Sequence, residues 1–312
     1  MRFSFDQDQL AFRTAVRDLL TKTCPPEAVR QPNRVAWDAL AEMGVQGILV
    51  PESHGGLDLD ERWLVLLLEE AGYAGLPEPI VETAAVVLPL VAGQVASSAL
   101  LSTDLGGTNI PYAAEAQHLL LAHGPDRMVL VAAGEADIDL VETIDHARRA
   151  GRLRGDCASA TPVTGDRDLA FDRGAWGTAA FLVGLSQRML DLTIEYVRIR
   201  EQFGVPVGSF QAVKHHLVDA SLQLAFARPA VYRAAWSLAT DSEDRSRDVS
   251  LAKALASDAA SIVGRKALQC HGAIGYTEEA DLQLFLKRSW ALARAWGDAA
   301  WHRDRIGQTL NL

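Results

Sequence analysis

Apolar residues recur with a helical period near the start of the chain. Phe12, Val16 and Leu19 share one face between Asp6 and Lys22, and Asp6 followed three residues later by Gln9 supplies a capping box, so the pattern predicts a helix there. A second predicted helix, Val35 to Met43, runs into Gly44. The stretch GILVPESHGGL, Gly47 to Leu57, demands a loop because Pro51 and the Gly55-Gly56 pair interrupt regular structure. Helical spacing returns from Glu61 to Gly72. Thr83 to Thr103 carries no charge, yet Pro89, Gly93, Gln94, Ser97, Ser98 and Ser102 break its apolarity, which favours a buried helix with its connecting loop over a membrane span.

The texture then changes. Between Thr103 and Phe171, short apolar runs such as Leu119 to Ala122 and Met128 to Ala133 are separated by Gly, Pro and Asp, the pattern of strands in a small sheet. From Thr178 the helical pattern is strong, with Leu182, Leu185, Met189, Leu192, Tyr196 and Ile199 alternating at three and four residues while Gln187, Asp191, Glu195 and Arg198 lie off the stripe. Further helices are expected at Ser209 to Thr240, Val249 to Cys270, Ala280 to Ala295 and Asp298 to Gln308, which together make a helical bundle. The expected organisation is mostly α with a small β-domain: a helical domain over 1–102, a β-domain over 103–172 and a bundle over 173–312.

Composition narrows the function classes. In 312 residues, 49% hydrophobic and 22% charged, there is enough apolar surface for a substantial core. The net charge of −10 argues against broad nucleic-acid binding, which needs clustered positive charge. The three cysteines, Cys24, Cys157 and Cys270, are far apart and form no CxxC pair, so neither a disulfide framework nor a zinc site is expected and a reducing cytoplasm fits. Arg2, Asp6, Asp8, Arg13 and Arg17 stand where a secretion signal needs an uninterrupted apolar stretch.

Two short segments carry the chemical information. One is Arg200-Glu201-Gln202-Phe203-Gly204, followed by Gly208-Ser209-Phe210-Gln211, and the other is Gln269-Cys270-His271-Gly272-Ala273-Ile274-Gly275-Tyr276. A guanidinium can pair with a phosphate, an aromatic ring can stack on a base, an amide can pair with a base edge, and a glycine-rich turn lets a pyrophosphate approach the backbone. Alone, each residue has a plain structural reading, Arg200 as a surface ion pair, Phe203 as a core ring and the glycines as a helix stop.

In this order and spacing the segments resemble the acyl-CoA dehydrogenase family of flavoproteins, through its R-x-x-F-G, F-Q and Q-x-x-G-G-x-G segments, here with Ala273 for the second glycine of the last. VPESHGGL resembles the family's P-E-x-x-G-G-x-G loop, and Val183-Gly184-Leu185 with Arg188 is similar to the start of its first C-terminal helix. The resemblance implies an acyl-CoA dehydrogenase-like fold, with an N-terminal helical domain, a reduced middle β-domain and a C-terminal four-helix bundle. It also implies FAD bound across a subunit interface: Arg200 at the pyrophosphate, Gln202 and Phe203 along the adenosine, Gln211 at the adenine end, and Gln269, Cys270, His271, Gly272 and Ala273 as the pyrophosphate turn.

The departures matter as much. The family's T-E-P, G-S-D and W-I-T-N segments, which hold the isoalloxazine and the thioester, do not occur, and the shortened middle region resembles only the later half of the family's, around Asp145 to Leu153. Alignment from Lys287-Arg288 places Trp296-Gly297 where most members carry Tyr-Glu, and the alternative base position, just ahead of the first bundle helix, falls near Gly174. Neither glycine offers a carboxylate to take the α-proton. Asp298 and Asp172 stand close by, each read as a solvated helix-capping residue, with Asp298 kept as the alternative base. His271 and His302 receive no catalytic role.

The resemblance therefore implies a subunit that desaturates an acyl-CoA thioester, in some members steroid-derived, inside a heterotetramer with a full-length partner that supplies the base. An electron-transferring flavoprotein would be the acceptor. The alternative is a self-sufficient homo-oligomeric flavin oxidoreductase or a non-catalytic flavin-binding scaffold subunit. No membrane partner is expected.

Overall fold

A computed structural model describes residues 4–124, 127–155 and 160–310. Cys157 lies outside the described residues. The chain opens with α1 (Gln7–Thr23), α2 (Pro26–Arg30), α3 (Val35–Glu42) and α4 (Glu61–Ala74). The capping box is present: Asp6 accepts from the Gln9 backbone N–H at 2.8 Å, and the Gln9 side chain accepts from the Asp6 N–H at 3.1 Å. Val16 and Leu20 of α1 join Trp37 and Leu40 of α3 and Leu64, Leu67 and Leu68 of α4 in the main core. Full burial of a leucine stabilises by about 1.5–3 kcal/mol, which is what holds helices this short in place.

Between the N-terminal helices and the sheet runs a π-helical stretch, Val81–Val87, continuing into α5 (Leu88–Val91). Thr83 anchors it: its hydroxyl donates to the Leu101 carbonyl and accepts from the Leu101 N–H, both at 3.1 Å. Leu101 opens β1 (Leu101–Thr103), so the stretch Thr83 to Thr103 is helix, loop and then strand. The sheet has the order β1, β2 (His118–Ala122), β3 (Met128–Ala132), β6 (Thr161–Val163), with β1 parallel to β2 and the other pairs antiparallel. A separate hairpin, β4 (Ile138–Val141) with β5 (Ala150–Leu153), closes over a small second core of Ile110, Ala113, Leu119, Leu121 and Val131.

The bundle comprises α6 (Arg167–Ile199), α7 (Gln211–Ala239), α8 (Arg245–His271), α9 (Leu282–Arg294) and α10 (Ala299–Thr309). A small hairpin, β7 (Glu201–Gln202) with β8 (Val205–Pro206), links α6 to α7. Two sequence expectations are corrected here. α6 starts at Arg167, capped by Asp166, so Gly174 lies inside the helix rather than ahead of it. Gly174 and Gly177 weaken the helical pattern in isolation, but both face packed neighbours, Trp296 on Gly174 and Val81 and Leu68 on Gly177, and tertiary packing overrides propensity.

Asp172 is the second correction. It is no solvated cap: it is fully buried and accepts from Arg245 of α8 at 3.1 Å and from Arg305 of α10 at 2.7 Å. α4 crosses α6 at backbone contact. A Cβ added at Gly72 would stand 2.1 Å from the Phe181 carbonyl oxygen, and one at Gly184 would stand 2.0 Å from that of Glu69. Arg288 of α9, wholly buried, pairs with Asp145 and donates to the Leu76 carbonyl at 2.8 Å, tying the bundle to the segment before β5 and to the end of α4.

Candidate functional site

At one end of the bundle α6 stops and the chain turns outward. Arg200, Gln202, Phe203 and Gln211 are all exposed there, with Phe203 93% exposed and its ring edge-on to Phe210 at 6.2 Å. Phe203 takes a left-handed backbone, φ 54°, which turns the ring away from the fold instead of into the core. Among the described residues the Arg200 guanidinium has no carboxylate partner. The Gln202 amide donates to the Glu201 carbonyl at 2.8 Å.

The second segment lies at the same end. The Tyr196 ring, one turn before Arg200, stacks on His271 at 4.5 Å, and Tyr196 donates its hydroxyl to the His271 carbonyl at 3.4 Å. α8 ends at His271 and a tight turn, Gly272–Tyr276, follows. Gly272 has φ 64° and ψ −141°, a conformation that side-chain-bearing residues resist, with open space where a Cβ would stand. Gln269 and Ala273 are exposed, and Cys270 is half-buried with its thiol pKa raised by burial. The His271 imidazole is buried, Nδ1 donates to the Ala267 carbonyl at 2.9 Å, and burial lowers its pKa, so His271 meets the turn's outer side through its backbone only.

This donor set fits the adenosine and pyrophosphate of FAD. It offers a free guanidinium for phosphate, an outward ring for stacking, exposed amides for hydrogen bonding and a turn open to close backbone approach. None of these groups is a base that could take the α-proton at neutral pH.

The corner between α9 and α10 is built the opposite way. Trp296 and Gly297 both take left-handed backbone, φ 58° and 84°, before Asp298 caps α10 by accepting from the Trp301 N–H at 2.9 Å. That backbone N–H holds the Asp298 carboxyl below the usual carboxylate range. The Trp296 indole is 2% exposed and fills the gap between Gly106 and Gly174, where a Cβ on either glycine would stand 2.6 Å from the ring. The Trp296 backbone N–H donates to the Gly106 carbonyl at 2.9 Å, and Phe171 meets the indole edge-on at 5.8 Å.

Two buried bases pin this corner. Lys253 donates to the Ser257 hydroxyl and the Ala293 and Gly297 carbonyls at 3.0–3.1 Å, and burial pushes its pKa down to about 7. His302 faces the Trp296 carbonyl through Nε2 at 2.8 Å and the Ser250 hydroxyl through Nδ1 at 3.1 Å. A carbonyl only accepts, so Nε2 bears the hydrogen and Nδ1 accepts from Ser250. Burial and the nearby Lys253 push the His302 pKa down to about 4, so the ring stays neutral. Lys253 was missed in the sequence; its signal is a lone lysine among the small residues Ala252, Ala254, Ala256 and Ser257. Among the described residues no cluster of His, Cys, Asp and Glu could hold a metal, and no helix is long and apolar enough to cross a membrane.

The fold and the two helix-end segments define a flavin-dependent dehydrogenase architecture. Residues 6–96 match the acyl-CoA dehydrogenase N-terminal domain and residues 168–311 the acyl-CoA dehydrogenase C-terminal domain. The chain is 32% identical over 308 residues to acyl-CoA dehydrogenase IpdE2 of Mycolicibacterium smegmatis, covering 93% of this chain and 95% of that protein. IpdE2 of Mycobacterium tuberculosis is 28% identical, with 92% of each covered. Among solved structures, the ChsE4-ChsE5 complex from Mycobacterium tuberculosis superposes with a TM-score of 0.90 at 24% identity over 100% of this chain and 99% of that one. A Tcur3481-Tcur3483 steroid acyl-CoA dehydrogenase variant gives a TM-score of 0.89 at 23% identity, covering 98% of each chain. The chain belongs to the acyl-CoA dehydrogenase family, FAD-dependent oxidoreductases acting on a CH–CH bond.

Proposed function

We propose that this chain is the subunit of a heteromeric acyl-CoA dehydrogenase that lends its nucleotide-binding groups to the enzyme while a full-length partner chain supplies the catalytic base. The observation that carries this reading is the α9–α10 corner. The two positions where the family carries its base fall at or near Gly297 and Gly174, and the Trp296 indole fills the space against Gly174. Neither glycine carries a carboxylate, Asp172 is held by Arg245 and Arg305, and Asp298 caps α10.

Arg200 binds the pyrophosphate, Phe203 and Gln202 lie along the adenosine, Gln211 meets the adenine end, and the Gln269 to Ala273 turn offers backbone to the phosphates. When bound, FAD would supply the hydride acceptor for α,β-desaturation of the thioester, and the partner chain would supply the carboxylate that takes the α-proton. Asp298 stays a cap, because its carboxylate is already engaged by the Trp301 N–H. The two-chain ChsE4-ChsE5 complex and the Tcur3481-Tcur3483 steroid enzyme favour a heteromer acting on a steroid-derived acyl-CoA. An electron-transferring flavoprotein as acceptor and a cytoplasmic location complete the reading. The 1–102, 103–172 and 173–312 division remains part of this reading, with α6 reaching back into the middle segment.

The test is turnover. The purified chain gives little acyl-CoA-dependent dye reduction, and adding the partner restores flavin binding and turnover together. Robust turnover by the isolated chain, abolished by Asp298→Asn, would favour the self-sufficient enzyme instead.

A further inference from the structure

A cavity of about 520 Å³ opens between the loop after α2, the loop after α4 and the segment before β5. That volume lies within the range of small-molecule sites. Its buried floor is formed by Pro77, Glu78, Pro79, Leu100 and Tyr112, and its rim carries Arg34, Glu115 and Arg149. Besides the Tyr112 hydroxyl, the floor carries one polar side chain. Glu78 is 6% exposed, and its Oε2 has no hydrogen-bond partner among the described residues. At the rim the Glu115 Oε2 is also without a partner among the described residues.

A buried carboxyl oxygen without a partner is costly, and chains rarely retain one without use. The charged neighbours do not satisfy it. Arg288, the strongest cationic influence on Glu78, is already committed to Asp145 and the Leu76 carbonyl, and Arg149 is committed to Glu115. Arg34 is exposed at the mouth. What the floor lacks is a small polar group presented by something apolar.

We propose that this cavity binds a small apolar molecule through a hydroxyl group, which bonds to Glu78 while the rest of the molecule packs on Pro77, Pro79, Leu100 and Tyr112. The choice of a hydroxyl follows from the carboxyl's state. Burial pushes the Glu78 pKa up to about 7, so near neutrality both protonation states are populated. A hydroxyl serves both, donating to the carboxylate and accepting from the carboxylic acid. An ammonium requires the ionised form that burial opposes, and a carboxylate is repelled by it. The proposal is independent of the heteromer reading.

The test uses the full chain and 1-adamantanol as probe, with 1-adamantanamine and adamantane-1-carboxylate as comparators, read by saturation-transfer NMR and calorimetric titration. The alcohol binds saturably and more tightly than either comparator. Glu78→Leu, which removes the hydrogen bond and keeps the floor apolar, weakens the alcohol roughly tenfold, the usual scale for one lost bond to a charged or polar group. Glu78→Gln keeps one donor and one acceptor and binds within about threefold of the parent, which covers the case in which Glu78→Leu does not fold. Absence of saturable alcohol binding, binding indifferent to Glu78→Leu, or preference for the ammonium overturns the proposal.

Discussion

The α9–α10 corner and the nucleotide end of the bundle come from the same few helices, yet one is finished and the other is not. At the corner, Trp296 is buried between two glycines and its loop carbonyls are taken by Lys253 and His302. At the nucleotide end, Arg200, Phe203 and Gln211 project into solvent, and Arg200 has no carboxylate partner among the described residues. A protein completes the places it uses for its own stability and leaves incomplete those that a ligand or another chain will complete. The comparison assigns stability to the corner and binding to the open end.

Trp296→Ala gives the largest expected break in that contrast. Removing a buried indole flanked by Gly106 and Gly174 leaves a cavity neither glycine can fill, at a cost of about 3–5 kcal/mol in urea unfolding. A loss below about 1 kcal/mol, the range of surface substitutions, would show that the corner is not core.

Acid tests the same corner through His302. Its folded pKa of about 4 lies below its ordinary 6.5, so the unfolded chain takes up the proton first. Stability is intact above about pH 6.5 and declines as pH falls through the window down to about 4, by on the order of 3 kcal/mol. His302→Gln flattens that part of the stability–pH curve, and a curve of unchanged slope would contradict the neutral buried ring.

At the open end, Arg200→Ala leaves unfolding free energy within about 0.5 kcal/mol of the parent, as for surface sites. In the assembled enzyme it weakens FAD retention roughly tenfold or more, since a charge-assisted pair is worth about 1.5–3 kcal/mol. Unchanged flavin content would remove Arg200 from the site. Gly272→Val acts in the same direction by straining the φ 64° turn and crowding the phosphates, and full FAD occupancy in that variant would contradict the placement.

The smallest effect belongs to Asp298→Asn. Asn caps a helix as well as Asp, so both stability and heteromer turnover stay within about 0.5 kcal/mol and twofold. A fatal loss of turnover would move the base into this chain.

Much of this was readable in one dimension. The capping box at Asp6, the loop around Pro51, the strands at 118–122 and 128–132 and the helix-end segments at 200–211 and 269–276 all depend on local pattern. What local pattern cannot carry was misread or missed. Asp172 has the composition of a cap, but its partners lie 73 and 133 residues further on, and only the packed fold brings Arg245 and Arg305 to it. α6 begins at Arg167 because its glycines are compensated by neighbours from α4, the π-helical stretch and the Trp296 loop. The stacking of His271 on Tyr196 joins positions 75 residues apart in sequence, which no local pattern shows.

The crossing of α4 over α6 at Gly72 and Gly184 limits how modular this chain can be. Two helices whose backbones touch leave no layer of side chains between them to shear at that crossing. A fragment beginning at Arg167 would bare a glycine-floored groove on α6 that only α4 matches, and the N-terminal segment alone would bare the counterpart. Grafting the N-terminal region of a relative onto this bundle would succeed or fail on those two positions, whatever the similarity elsewhere, because a single methyl group at either one collides with a carbonyl oxygen across the crossing.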